Sequence, residues 1–194
     1  MTTVVLFHSV LGRRPAVLET AERLRAAGHV VHVPDLYGGE VFDSMTEAVP
    51  FFEGIGGPAE MMRRTEAAGA GLPSGVVYMG FSNGGASAEF LAATRPGARA
   101  AVLLHAALPL PAFGLSRWPA GVPVQMHYAE HDPWRSADGV DQVRAAVEAA
   151  GAEFTFYEYP VTGHLFTDAG QPEFDRPASD LVHDRVLRFL AELS

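Results

Sequence analysis

Cysteine is absent from the 194 residues of the sequence. This absence excludes a thiol nucleophile, a disulfide framework and a metal site built on thiolates. The sequence also lacks any run of about 18 apolar residues, the length that a membrane-spanning helix needs. Its first residues, Met1 to His8, lack the basic segment of a secretory signal. We therefore expect a cytoplasmic protein that does not act at a membrane.

Positive charge is in the minority, since 14 Lys and Arg residues stand against 23 Asp and Glu residues. The net charge of −9 argues against binding to nucleic acid or to an anionic membrane surface. The same long-range field disfavours strongly anionic substrates. The expected partner is a small, uncharged molecule.

Short apolar runs alternate with segments of helical spacing along the whole chain. Apolar runs without polar alternation are typical of strands that helices cover on both faces of a parallel sheet. The length suits one domain, over residues 1–194. If the first strand lies between the second and third, the strand order is 2-1-3-4-5-6. Six mostly parallel strands are predicted, at residues 3–8, 30–33, 76–79, 100–104, 122–129 and 154–159, with helices at 15–27, 45–55, 59–68, 86–93, 140–150 and 177–193.

A nucleophile elbow is indicated by the segment Gly80-Phe-Ser82-Asn-Gly84. In this G-x-S-x-G pattern a sharp turn between a strand and a helix exposes the serine Oγ, and glycines flank the serine because a Cβ would clash there. The pattern is short enough to arise by chance. Here an apolar run precedes it and a helical segment follows it, as the motif requires. We predict that Ser82 is the nucleophile of an α/β-hydrolase fold.

The partners of this serine follow in the chain order Ser, Asp or Glu, His that α/β-hydrolases use. Asp132 follows the fifth predicted strand and His164 follows the sixth, so both are expected at the sheet edge where Ser82 lies. Asp132 is predicted to orient the imidazole of His164, which takes the serine proton. Glu130 and, after it, Asp138 remain the alternative acids, and His131 is the alternative base.

The remaining parts of the predicted site come from loops. The backbone N–H groups of Val10 and Asn83 are the predicted oxyanion donors, because the loop after the first strand and the residue after the nucleophile supply them in this fold. Residues 40–71 are expected to cover the site, and the loop of residues 105–121 to form a wall. The side chains predicted to contact substrate are Ser9, Tyr37, Phe81, His105, Trp134 and Phe166.

Four motifs carry a resemblance that extends over nearly the whole chain. In these motifs the sequence resembles the dienelactone hydrolase family of compact α/β-hydrolases. The resemblance implies ester or lactone hydrolysis by a triad, without a cofactor. The motifs are His8-Ser-Val-Leu-Gly12, Val33-Pro-Asp-Leu-Tyr37, Gly80-Phe-Ser-Asn-Gly-Gly85 and Gly163-His-Leu-Phe166.

Three departures separate this chain from the founding members of that family. Those members have a cysteine where Ser82 stands, a glutamate where Ser9 stands, and an arginine for a substrate carboxylate where Asp168 stands. The reaction class survives these changes, but the expected substrates become neutral esters or lactones. The arginines that can still reach the site are Arg63, Arg64 and Arg135.

Other functions fit parts of the same pattern. An acyltransferase or thioesterase would use the identical triad, and a ligand-binding protein could occupy the same scaffold without catalysis. A metal site at His127, His131 and Asp132 is a remoter reading, because strand alternation turns His127 away from the face that Asp132 continues. The leading hypothesis is a serine-dependent carboxylic ester or lactone hydrolase.

Overall fold

The sheet of this protein is six-stranded and entirely parallel within residues 1–193, which the computed structural model describes. Its strand order is β2-β1-β3-β4-β5-β6, so the predicted fold and strand order are confirmed. The order reverses between β1 and β3, the place where ligands bind in sheets of this kind. The strands are β1 Thr3–Phe7, β2 Val30–His32, β3 Val76–Phe81, β4 Ala100–Leu104, β5 Val124–His131 and β6 Phe154–Thr162.

Helices follow most of the strands, and two of them begin with side-chain caps. Ser44 accepts a hydrogen bond from the Glu47 N–H, and Asp175 accepts one from the Ala178 N–H. None of the described helices combines the length and apolar character that crossing a membrane requires. The helices are α1 Pro15–Ala26, α2 Met45–Gly54, α3 Gly57–Gly69, α4 Asn83–Thr94, α5 Gly139–Ala149 and α6 Arg176–Glu192, with a 3₁₀ turn at Leu110–Phe113.

Two apolar cores lie on opposite faces of the sheet. Alternation along β1 sends Val5 and Phe7 into one core and Val4 and Leu6 into the other. The first core is closed by residues of α2, α3, α4 and α5, and the second by residues of α1 and α6. Both faces of the central strands β1, β3 and β4 are therefore covered, which explains why these strands show no polar alternation.

The last two strands extend further than the apolar pattern predicts. β5 continues to His131 and β6 to Thr162, and these two residues are still paired after a register shift between Ala129 and His131. The polar residues at these strand ends hold their place through backbone hydrogen bonds, which hydrophobicity does not reveal. The extension brings the residues after both strands to the same edge of the sheet.

Candidate active site

Ser82 lies in the turn between β3 and α4, with φ 51° and ψ −116°. Few residues other than glycine adopt a positive φ, and such strain is characteristic of functional sites. The turn is tight on both sides. A Cβ on Gly80 would lie 2.0 Å from the carbonyl oxygen of Gly84, and one on Gly84 would lie 2.3 Å from that of His8. The two glycines of the motif are thus required by the close approach of β1, β3 and α4.

Ser82, His164 and Asp132 form a continuous hydrogen-bonded chain. His164 Nε2 lies 2.7 Å from Ser82 Oγ, and His164 Nδ1 lies 2.8 and 2.9 Å from the two carboxylate oxygens of Asp132. Because the carboxylate accepts from Nδ1–H, Nε2 is free to accept the proton of the serine hydroxyl. The aspartate and the histidine are both buried, so water does not compete for these contacts.

The alternative acid Glu130 and the alternative base His131 take no part in the hydrogen bonds that join Ser82, His164 and Asp132. Glu130 and His131 are exposed on the end of β5, whereas Asp132 turns inward. Asp132 Oδ1 also accepts a hydrogen bond of 2.8 Å from the Trp134 N–H. Asp132 therefore holds the turn that follows β5 and contacts His164 with the same carboxylate.

The histidine of the proposed metal site has a structural explanation. His127 is fully buried, its Nδ1 accepts from the Tyr159 hydroxyl at 2.8 Å, and its Nε2 donates to Gln125 Oε1 at 3.0 Å. Burial lowers the pKa of His127 to about 3, so the ring is neutral. Within residues 1–193, no group of three His, Cys, Asp or Glu side chains is arranged to hold a metal ion.

Val10 and Asn83, whose backbone N–H groups are the predicted oxyanion donors, both line the space in front of Ser82. Asn83 is the first residue of α4, where an amide has no acceptor within the helix, and Val10 follows β1 in the adjacent loop. That loop is held by Ser9, whose Oγ accepts from the Leu11 N–H at 3.2 Å and whose carbonyl accepts from the Gly12 N–H at 3.1 Å. A helix N-terminus next to such a loop is suited to stabilise a negative oxygen.

A neutral histidine connects this loop to the end of β2. His8 is buried, its Nδ1 donates to the Ser9 carbonyl at 2.7 Å, and its Nε2 accepts from the Leu36 N–H at 3.0 Å. Burial lowers the pKa of His8, which keeps Nε2 available as an acceptor. The His8 and Pro-Asp-Leu-Tyr motifs therefore act together to fix the loop that contains Val10.

An ion pair joins the same loop to the segment that follows His164. Arg14 Nε donates to Asp168 Oδ2 at 2.9 Å, and both side chains are buried. Arg14 Nη1 donates further to the Phe42 carbonyl and to Asp43 Oδ1. Asp168, which stands where founding members of the resembled family have an arginine, is thus paired within the protein and does not face the cavity.

The cavity in front of Ser82 has a volume of about 350 Å³. The segment predicted to cover the site and the loop predicted as a wall both line it. Among its described lining residues, Glu53 is the one carboxylate, and none is an arginine. The lining comprises Val10, Met45, Val49, Phe52, Glu53, Ser82, Asn83, Ala86, His105, Ala106, Ala107, Leu108, Tyr128, Trp134, Ser136 and His164.

Two of the six predicted substrate contacts, His105 and Trp134, line this cavity. Trp134 is 62% exposed and its ring centroid lies 6.2 Å from that of His164. His105 is buried, and its Nε2 contacts Thr167 Oγ1 at 3.0 Å. Burial lowers the pKa of His105 well below its ordinary value, so it contributes a neutral polar wall.

The other four predicted contacts lie elsewhere and are corrected here. The Ser9 hydroxyl accepts a hydrogen bond from the Leu11 N–H within its own loop. Tyr37 packs in the core against Phe42 and Phe51. Phe81 and Phe166 belong to the core beneath α1 and α6. Alternation along β3 directs Phe81 into this core and away from the side of Ser82, whereas Phe166 reaches it from the loop after β6. Aromatic character near a motif was not sufficient to place these side chains in the cavity.

The cavity residues that the sequence analysis missed come mainly from α2 and β5. Met45, Val49 and Phe52 recur at intervals of four and three residues on one face of α2, and Tyr128 lies on β5. The helical spacing was a signal for this apolar face. The sequence alone does not say whether such a face covers a core or a cavity.

The three arginines predicted to reach the site have other partners. Arg63 and Arg64 both pair with Glu60, and Arg64 also donates to the Leu36 carbonyl. Arg135 pairs with Glu158 and lies over the rings of Tyr128 and Phe156. None of the three lines the cavity, so the described lining offers no guanidinium to a substrate carboxylate.

A buried carboxyl supports the cavity wall from behind. Glu89 on α4 is fully buried, and its Oε2 accepts a hydrogen bond of 3.1 Å from the Leu108 N–H. Its Oε1 has no hydrogen-bond partner among the described residues. Burial raises the pKa of Glu89 from 4.5 to about 8, because the ionised form is poorly solvated there. The group is therefore protonated in the folded protein at neutral pH.

Glu89→Gln should consequently change how stability depends on pH. In the unfolded chain Glu89 ionises near its ordinary pKa, whereas the folded protein retains the proton up to pH about 8, so rising pH favours unfolding. Between these values wild type should lose up to about 1.4 kcal/mol of unfolding free energy per pH unit relative to Glu89→Gln. Urea unfolding at several pH values measures this difference. An exposed control, Glu148→Gln, should follow wild type, and parallel curves for Glu89→Gln and wild type would contradict the assignment.

Comparisons with known proteins agree with this architecture. The dienelactone hydrolase family matches residues 1–194 of the chain. The dienelactone hydrolase-like promiscuous phosphotriesterase P91, from metagenomic libraries, is 25% identical with a TM-score of 0.81, covering 100% of this chain and 87% of its own. A thermophilic esterase of Thermogutta terrifontis, Est2, is 19% identical with a TM-score of 0.67, covering 100% of this chain and 84% of its own. A search of curated proteins found no match.

Proposed function

The chain belongs to the dienelactone hydrolase family, and from this premise we propose that it is a serine-dependent hydrolase of neutral carboxylic esters or lactones. The observation that carries the proposal is the hydrogen-bonded chain from Ser82 Oγ through the His164 ring to the Asp132 carboxylate. A serine hydroxyl is a poor nucleophile until a base accepts its proton, and this arrangement supplies both the base and its orienting acid.

In the first half of the proposed reaction, Ser82 Oγ attacks the carbonyl carbon of the ester. Its proton passes to His164 Nε2, 2.7 Å away, and the carbonyl oxygen becomes an oxyanion. The N–H groups of Val10 and Asn83 would stabilise that oxyanion. Asp132 keeps the imidazolium in place through Nδ1. When the C–O bond breaks, His164 returns the proton to the departing alcohol, and the acyl group remains on Ser82.

In the second half, water takes the place of the alcohol. His164 Nε2 removes a proton from the water, whose oxygen attacks the acyl carbon. The second tetrahedral intermediate collapses with cleavage of the bond to Ser82 Oγ, which regains its proton from the imidazolium. A lactone follows the same steps, except that its alcohol remains tethered to the acyl group. The products are a carboxylic acid and an alcohol.

The charges around the cavity support a neutral substrate. A buried carboxylate needs a cationic partner, because an unpaired buried charge costs several kcal/mol. The described lining offers none, and its one carboxylate, Glu53, would repel an anion. The net charge of −9 acts in the same direction over longer distances.

A paired substrate comparison tests this proposal. A neutral ester should be hydrolysed with a kcat/KM at least about tenfold higher than that of a carboxylate-bearing ester of similar size and reactivity, the equivalent of 1.4 kcal/mol. Glu53→Gln should reduce the ratio of kcat/KM between the neutral and the carboxylate-bearing ester. Glu66→Gln, an exposed substitution on α3 that does not line the cavity, should leave this ratio unchanged. Absence of hydrolysis of any ester by folded protein would refute the hydrolase. A preference for the anion would refute the charge argument.

A further inference from the structure

A second cavity, of about 540 Å³, lies beside the first one. It is enclosed by α3, by α4 and by the segment that leads into the 3₁₀ turn after β4. It contains neither Ser82 nor His164, and the mechanism above does not use it. Its lining residues are Pro58, Ala59, Met61, Met62, Thr65, Asn83, Ala86, Ser87, Leu108, Ala112 and Phe113.

The second cavity adjoins the first. Asn83, Ala86 and Leu108 line both, so one side of these residues faces the nucleophile and the other faces the second cavity. Leu108 is 39% exposed, although its backbone is held by Glu89. A ligand bound at Ser82 that passes Leu108 would enter the second cavity.

The walls of the second cavity favour an apolar group. None of the described lining residues is charged, and two methionines and a phenylalanine supply much of the surface. The hydroxyls of Thr65 and Ser87 bond to each other at 2.8 Å, which satisfies both within the wall. At the junction, Asn83 Nδ2 is buried without a hydrogen-bond partner in the described part of the chain. The cavity thus offers apolar surface beyond a single unpaired donor.

We propose that the second cavity binds the acyl chain of the substrate, which makes esters of medium-length, apolar carboxylic acids the preferred class. This inference rests on the proposed hydrolase function. The leaving oxygen must come within reach of His164 Nε2 to receive its proton, so the alcohol occupies the part of the first cavity near His164 and Trp134. The second cavity contacts neither residue. The second cavity instead adjoins Asn83, whose N–H donates to the oxyanion in the proposed mechanism. Since the alcohol lies on the side of His164, the acyl chain is the substituent of the carbonyl carbon that points toward the second cavity.

The dependence of rate on acyl length tests this assignment. We expect kcat/KM for esters of one phenol to rise from acetyl through butyryl and hexanoyl to octanoyl, by about threefold to fourfold for each methylene that leaves water. Lengthening the alcohol of acetate esters should give a smaller rise. A rate that is flat or falling with acyl length would overturn the proposal, and hydrolysis of none of these esters would overturn the hydrolase itself.

A variant pair on one helix provides the control. Ala59 and Ala67 are both exposed on α3, but only Ala59 lines the second cavity. Ala59→Trp should reduce the ratio of kcat/KM for octanoyl over acetyl esters by at least about tenfold, the effect of excluding roughly two methylenes. Ala67→Trp should retain the wild-type profile.

Two outcomes of the variant comparison would overturn the assignment. One is an unchanged length preference in Ala59→Trp. The other is a loss of acetyl and octanoyl hydrolysis in equal proportion in a folded Ala59→Trp protein.

Discussion

Replacing Ser82 with alanine should lower kcat for a neutral ester by at least about 10⁴-fold, because removal of a triad nucleophile leaves only binding and oxyanion stabilisation. The fold should survive, since alanine occupies the same turn without added volume. The loss comprises one hydroxyl and its 2.7 Å hydrogen bond to His164 Nε2. Initial rates of ester hydrolysis, with circular dichroism as the check on folding, measure the effect.

Covalent labelling distinguishes a nucleophilic serine from a serine that does not react. A fluorophosphonate should label wild type and the control Ser116→Ala, an exposed serine remote from the cavity, but not Ser82→Ala. Near-wild-type turnover by Ser82→Ala would remove the nucleophile assignment. If folded wild type is not labelled and hydrolyses no ester, the alternative of a ligand-binding protein on the same scaffold is favoured. An acyltransferase would be labelled but would transfer the acyl group to an alcohol faster than to water.

Asp132→Asn should lower kcat by about 10⁴-fold with little change in the fold. An asparagine that donates a hydrogen bond to Nδ1 favours the tautomer with the proton on Nε2, and this nitrogen can then no longer accept the proton of Ser82. The substituted side chain can still accept from the Trp134 N–H through its remaining oxygen, so the turn is preserved. Steady-state kinetics on the ester used for Ser82→Ala measure the change.

The neighbouring carboxylate provides the matched control for this prediction. Glu130 is two residues away and exposed, so Glu130→Gln should retain wild-type kcat within about twofold. If Glu130→Gln shows the large loss and Asp132→Asn does not, the orienting acid is misassigned. Equal and moderate losses in both would instead point to a field effect of the two charges.

The sequence was most informative where the backbone itself imposes residue types. Positions 80 and 84 require glycine because a Cβ there would overlap the neighbouring main chain. This requirement can be recognised in the sequence as the G-x-S-x-G motif. The parallel order and the sheet edge that carries Ser82, Asp132 and His164 followed from the positions of the apolar runs. Local patterns of this kind do not depend on distant parts of the chain.

The parts that sequence reasoning missed depend on contacts between distant segments. Arg14 and Asp168 are separated by 154 positions, and no periodicity relates them. Phe81 was predicted to contact substrate because it adjoins Ser82, yet neighbours at the end of a strand lie on opposite faces; Phe166, in the loop after β6, was predicted from its closeness to His164 and lies in the same core as Phe81. The helical spacing in the sequence reveals the apolar face of α2. Whether that face covers a core or lines a cavity depends on the residues that lie opposite it in the fold.

The ion pair between Arg14 and Asp168 can form only late in synthesis, because Asp168 follows the last strand of the sheet. The strand that carries Ser82 pairs with β1 and can form early, whereas His164 and Asp168 follow the last strand. In the proposed mechanism, a chain emerging from the ribosome therefore has its nucleophile before its base, and its first loop is not yet joined by the ion pair to the loop that follows His164. Since domains fold as units, a nascent protein that works by the proposed mechanism would lack hydrolytic activity until its final strand is in place. Hydrolytic activity would report on completed chains alone.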